Sequence, residues 1–76
     1  MQEIYAILKV LRPEFDFAQS NDFVEDGFLD SFDIISLVSA LEEKYAIKID
    51  GLDVVPDNFS SVDAIVGLIR KSGGEL

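Results

Sequence analysis

The chain has 76 residues, 49% of them apolar, no Cys, no His, and a formal charge of −9 from 15 acidic against 6 basic side chains. That length makes one domain near the smallest size a single core can hold without staples, and the apolar fraction excludes a disordered acidic tail. The lack of thiols excludes a disulfide framework, a thiolate metal site and a cysteine nucleophile, and the negative field excludes nucleic acid and anionic membrane faces as natural partners.

The same field favours basic protein partners, although small proteins are also acidic for solubility alone. Absence of Cys fits a reducing compartment. Met1-Gln2-Glu3-Ile4 lacks a basic segment followed by an apolar run, and no stretch approaches the roughly 20 apolar residues that span a bilayer. The expectation is a cytoplasmic monomer with no membrane insertion.

Taken in chain order, Ile4, Ile7, Leu8 and Leu11 fall at i, i+3, i+4 and i+7 and predict a helix over residues 2–11, ended by Pro13. A long connection follows over 13–29. It carries the turn signals Asn21-Asp22 and Asp26-Gly27, and five large apolar residues, Phe15, Phe17, Phe23, Phe28 and Leu29, that should fasten it across the helices.

The next helix, over 31–45, has the clearest pattern: Ile34, Leu37, Val38, Leu41 and Tyr45 form one stripe, with Asp30 as N-cap and Asp33 at N3. Ile47-Lys48-Ile49 is locally strand-like but has no partner strand, so it reads as extended chain. Gly51 and Pro56 leave room for at most one helical turn, about 53–58. A last helix over 61–71 then carries Val62, Ile65, Val66 and Ile69 on one face, with Ser60 as its cap, Asp63 completing a capping-box variant, and Arg70 and Lys71 at its negative end. The fold class is therefore all-α: a small bundle of three principal helices plus one short helical turn, with a long first loop.

Ser31 is the residue whose chemistry most needs explaining. A serine at a helix start suits an ordinary cap, and it equally suits a phosphate, because the first N–H groups are unpaired and the dipole is positive there. A catalytic hydroxyl needs a base; the chain has no His, and its few lysines are expected at the surface. A calcium loop also fails. With Gly27 at position 6, Val24 falls at position 3 and Asp33 at position 12, where a side-chain oxygen and a bidentate Glu are required. Weak divalent binding by clustered carboxylates is all that composition supports.

Asp30-Ser31-Phe32, with the helix Asp33-Ile34-Ile35-Ser36-Leu37-Val38-Ser39-Ala40-Leu41-Glu42-Glu43-Lys44-Tyr45, resembles the prosthetic-group site and second helix of acyl carrier proteins. Pro56-Asp57-Asn58-Phe59-Ser60-Ser61-Val62-Asp63-Ala64-Ile65 is similar to the loop and fourth-helix start of many stand-alone carriers, which implies a four-helix bundle. The Phe-anchored loop with Gly27 matches the same plan, so the likeness covers nearly the whole chain.

The resemblance implies that a phosphopantetheinyl transferase attaches 4′-phosphopantetheine, derived from coenzyme A, to the Ser31 hydroxyl. The arm's thiol would carry an acyl or aminoacyl group as a thioester, so a chain with neither Cys nor His takes part in acyl chemistry without being an enzyme. The partners implied are the transferase, an acyl- or aminoacyl-activating ligase, and downstream synthase or transferase enzymes of a fatty-acid, polyketide or D-alanyl/aminoacyl pathway. Asp30 would sit beside the attachment point as motif residue and cap. Phe32, Asp33, Glu42 and Glu43 become candidates for partner contact.

Ser36 and Ser39 stand where fatty-acid carriers often place an acid and a methionine, and the segment from Asp50 to Pro56 is longer than theirs. Those departures leave the cargo open. The alternative is an acidic helical interaction or divalent-ion-binding module with a carrier-like fold and no prosthetic group.

Overall fold

The structure is a computed structural model in which residues 2–76 are described. It has three α-helices, α1 (Gln2–Leu11), α2 (Ser31–Tyr45) and α3 (Val62–Lys71), and no strand among the described residues. The all-α expectation holds. Three short 3-10 turns lie between the helices, at Phe17–Gln19, Gly51–Asp53 and Pro56–Phe59. The segment expected to hold one helical turn thus holds two, and neither extends into a fourth α-helix. Gly51 and Pro56 punctuate the segment twice, and Asp50 starts the first turn by accepting the Leu52 N–H at 2.9 Å.

Each helix begins and ends for a local reason. Helix α1 buries Ile4 and Leu8 completely and runs out one residue before Arg12, with Pro13 beyond. Helix α2 ends where Ala46 turns left-handed, φ 53°, with its N–H on the Glu42 carbonyl. For α3 the cap is Ser61, not Ser60. Ser61 is extended and its hydroxyl accepts the Ala64 N–H at 3.1 Å, whereas Ser60 is already helical and its hydroxyl donates to the Asp57 carbonyl. Ala64 therefore occupies N3 and Asp63 completes no capping box.

The first connection is ordered by its aromatic side chains. Phe15 stacks on Phe28 with centroids 4.4 Å apart, and Phe17 meets Phe23 and Phe28 edge-on at 5.0 and 5.5 Å. Asp22 holds the inner turn through the N–H groups of Val24 and Glu25, and Gly27 takes φ 77°, a conformation that favours glycine. A backbone bond from Phe23 N–H to the Ser60 carbonyl, 2.8 Å, ties the loop to the entrance of α3.

The core comprises fifteen buried apolar residues contributed by all three helices, the long loop and the second connection, and among the described residues no polar or charged residue is buried as a whole. Ile4, Leu8, Leu37, Leu41, Phe59, Ile65 and Ile69 are all at 0% exposure. α1 packs on α2, and α3 packs on the Pro56–Phe59 turn. Lys71 closes the far end with a 2.8 Å ion pair to Asp53. The effect is to leave the start of α2 at the surface, on a helix whose opposite face is anchored in the core.

Candidate functional site

The start of α2 is held by a reciprocal pair of hydrogen bonds. Asp30 Oδ1 accepts the Asp33 N–H at 2.9 Å, and Asp33 Oδ2 accepts the Asp30 N–H at 3.2 Å. The first of these bonds, with the nearby Arg12 charge adding to it, holds the Asp30 carboxyl below its usual range. Ser31 is the next residue, the first of the helix, and it is exposed. Its hydroxyl therefore stands at the positive end of a fifteen-residue helix whose orientation is fixed by the cap and the core.

Arg12 completes the cluster from the end of α1. Its Nε donates to Asp33 Oδ2 at 2.8 Å, Nη1 donates to Glu14 Oε2 at 3.1 Å, and Nη2 lies 3.5 Å from Asp30 Oδ2. The guanidinium also sits 5.9 Å from the Phe15 ring centre. These contacts hold Arg12 more firmly protonated than a free arginine, the Asp33 bond first and the Glu14 bond second. No candidate residue chosen from the sequence was basic. The available signal was that Arg12 is the one cation between Lys9 and Lys44, against nine acids.

The four candidate contact residues divide in two. Phe32 is 77% exposed, and Ile35, one turn on, is 64% exposed, so an apolar pair stands in solvent beside Ser31. Ile35 lies off the apolar stripe, which was its sequence signal. Glu43 is exposed on the helix surface. Asp33 and Glu42 are turned inward instead: Asp33 bonds Arg12, and the Glu42 carboxylate accepts the Ile49 N–H at 2.9 Å. Among the described residues no group of three or more metal-ligating side chains converges, and Asp22 spends its carboxylate on backbone.

Two grooves open on the α1 side. One of about 490 Å³ is lined by Tyr5, Lys9 and residues 13–18, and the other, about 380 Å³, by Ala6, Ile7, Val10, Leu11, Ala40 and neighbouring charged stems. Ser31 lines neither.

The start of α2 thus presents an exposed serine hydroxyl directly after a capped helix start. Residues 3–69 match the family model described as phosphopantetheine attachment site, and the chain belongs to that family. The domain is thus a site of covalently attached 4′-phosphopantetheine, which implies a phosphopantetheinyl transferase and enzymes that act on the loaded arm. No curated protein and no solved structure matches the chain. The start of α2 fits the group: an exposed hydroxyl to form the ester, the positive end of a helix dipole, and a guanidinium 3.5 Å from the carboxylate of the preceding Asp30. Among the described residues no helix is long and apolar enough to cross a membrane.

Proposed function

We propose that the protein is a carrier in which Ser31 bears the 4′-phosphopantetheine arm and moves an acyl or aminoacyl group between cytoplasmic enzymes. The observation that carries this reading is the position of Ser31: exposed, first in α2, and directly after an Asp30 cap, in a chain of the attachment family. During loading, the Ser31 oxygen forms a bond to the β-phosphorus of coenzyme A as the bond from that phosphorus to the bridging oxygen breaks. The adenosine bisphosphate leaves, and the hydroxyl proton passes to a base on the transferase. When bound, the arm supplies the thiol that forms the thioester.

The chain's own work is presentation. The capping box fixes the backbone on either side of Ser31, and the buried stripe of α2 keeps that helix start from moving with its cargo. Phe32 and Ile35 offer an apolar contact, and Glu43 a charge, to enzymes that dock beside the arm. Catalysis belongs to those partners. Ser36 and Ser39 make the middle of α2 less acidic and less apolar than in fatty-acid carriers, which speaks against generic fatty-acid partners, and an aminoacyl cargo, being small and polar, needs no shelter between helices.

The test is intact mass after incubation with coenzyme A, magnesium and a broad-specificity phosphopantetheinyl transferase. Wild type gains one phosphopantetheine and Ser31→Ala gains none. If wild type stays unmodified while a reference carrier is fully converted, the carrier reading fails and an acidic interaction module takes its place.

A further inference from the structure

We infer that Arg12 is the counterion of the phosphodiester on Ser31, a positioning residue that holds the base of the arm against the start of α2; this rests on Ser31 being the attachment residue. Three observations lead there. Arg12 is the one basic residue between Lys9 and Lys44, so a phosphate added at Ser31 enters a stretch that already carries nine acids. Its guanidinium is held in place before the phosphate arrives, by Asp33 through Nε at 2.8 Å and by the Phe15 ring at 5.9 Å. A fork held in this way loses little further side-chain freedom on pairing.

The third observation is that the fork is not saturated. Arginine has five N–H donors. Two are spent in hydrogen bonds, to Asp33 and Glu14, while Nη2 has only the loose 3.5 Å approach to Asp30, the residue next to Ser31. A phosphodiester offers Nη2 a charged acceptor adjacent to the carboxylate it now faces, and planar forks suit phosphate oxygens well. With 30% of its side chain exposed, Arg12 is open enough to be reached and enclosed enough that salt does not fully screen it.

The experiment compares apo and phosphopantetheinylated forms of wild type, Arg12→Gln, Arg12→Lys and Glu14→Gln, by melting temperature and by the 31P resonance of the diester. A purely structural Arg12 lowers both forms of its variants equally. A counterion makes the loaded-minus-apo difference more negative in Arg12→Gln by a few degrees, less so in Arg12→Lys, and shrinks these gaps at about 0.5 M salt. Glu14→Gln removes a competing acid without touching the Asp33 bond, so it moves the difference the other way and keeps the test open should Arg12→Gln fail to fold. The 31P resonance then shifts between wild type and the arginine variants. Equal loaded-minus-apo differences and one unshifted resonance across all four proteins overturn the assignment. Failure of wild type to gain mass is a separate outcome, seen before any melting experiment, and it overturns the attachment reading on which this one rests.

Discussion

The Glu42 carboxylate reaches seven residues forward and accepts the backbone N–H of Ile49 at 2.9 Å, fastening the chain that leaves α2 back onto the helix. The Glu42 carbonyl takes the Ile47 N–H at 3.2 Å as well, so one residue secures two successive points of the extended stretch. Ile49 is 6% exposed and belongs to the core, and the clasp decides whether it stays there. Removing the carboxylate leaves the Ile49 N–H without its acceptor, at a cost of about 1–3 kcal/mol. Glu42→Ala is therefore expected to lower stability in urea by that amount, while Glu42→Gln, which keeps a carbonyl acceptor, recovers most of it. Equal losses in the two variants would show that the methylene packing of Glu42 matters and the hydrogen bond does not.

The two adjacent serines before α3 should separate cleanly by mutation. Ser61→Ala loses the acceptor for the Ala64 N–H and is expected to cost about 1 kcal/mol. Ser60→Ala loses only the exposed bond its hydroxyl donates to Asp57 and should stay within about 0.5 kcal/mol of wild type. Chemical unfolding of the pair measures this directly. A larger loss at Ser60 than at Ser61 would move the helix start back by one residue.

The contrast between those serines shows how far the sequence could be read. α2 was legible because its signals are local: the cap at Asp30, the reciprocal Asp33 and the apolar stripe all sit within one helix. For the two serines the local rule pointed the wrong way, because Ser60 has an acid three residues on, at Asp63, and Ser61 has Ala64. Part of what separates them lies far away in sequence, since the Ser60 carbonyl is held by the Phe23 N–H from the first loop. The inward turn of Asp33 was hidden for the same reason, because its partner Arg12 is 21 residues distant. Charge at a helix surface reads as a docking group until a tertiary partner claims it. The place of Ser31 at a helix start was readable from local signals alone, whereas the reach of Arg12 from the end of α1 to Asp30 and Asp33 was not.

Stability should respond to acid through the cap of α2. The folded Asp30 carboxyl titrates below its unfolded counterpart, chiefly because it accepts the Asp33 N–H. A group lowered on folding contributes stability that is present above the unfolded value, about 4, and is lost as pH falls through the folded one. Asp30→Asn keeps a capping oxygen and removes the charge. The melting-temperature gap between wild type and Asp30→Asn is thus expected to favour wild type at pH 7, hold steady down to about pH 5, and close towards pH 3. Because both proteins share every other carboxylate, the gap isolates Asp30 from the relief of repulsion that acid brings elsewhere. Parallel curves across this range would mean that the hydrogen bond forms equally well with the protonated acid.

One substitution should make the protein more stable. Ala46 closes α2 in the left-handed region, at φ 53°, and it is the only non-glycine residue with positive φ among those described. An alanine pays a steric cost there, because its Cβ crowds the following carbonyl oxygen, by about 1–2 kcal/mol. The conformation is nonetheless required, since it directs the chain so that the Ala46 and Ile47 N–H groups both meet the Glu42 carbonyl. Glycine adopts it freely but loses more freedom on folding, so part of the gain is offset. Ala46→Gly is expected to gain about 0.5–1 kcal/mol, a rise of several degrees in melting temperature for a domain of this size. Ala46→Val should move the other way, because a β-branched side chain fits this region worse than alanine does. Ala46 is exposed, so neither change disturbs the core, and the two shifts report the backbone alone. A glycine variant that melts below wild type would mean that the helix end relaxes out of the left-handed turn in solution, and the Glu42 clasp on Ile49 should then weaken in the same protein, with faster exchange of the Ile49 amide.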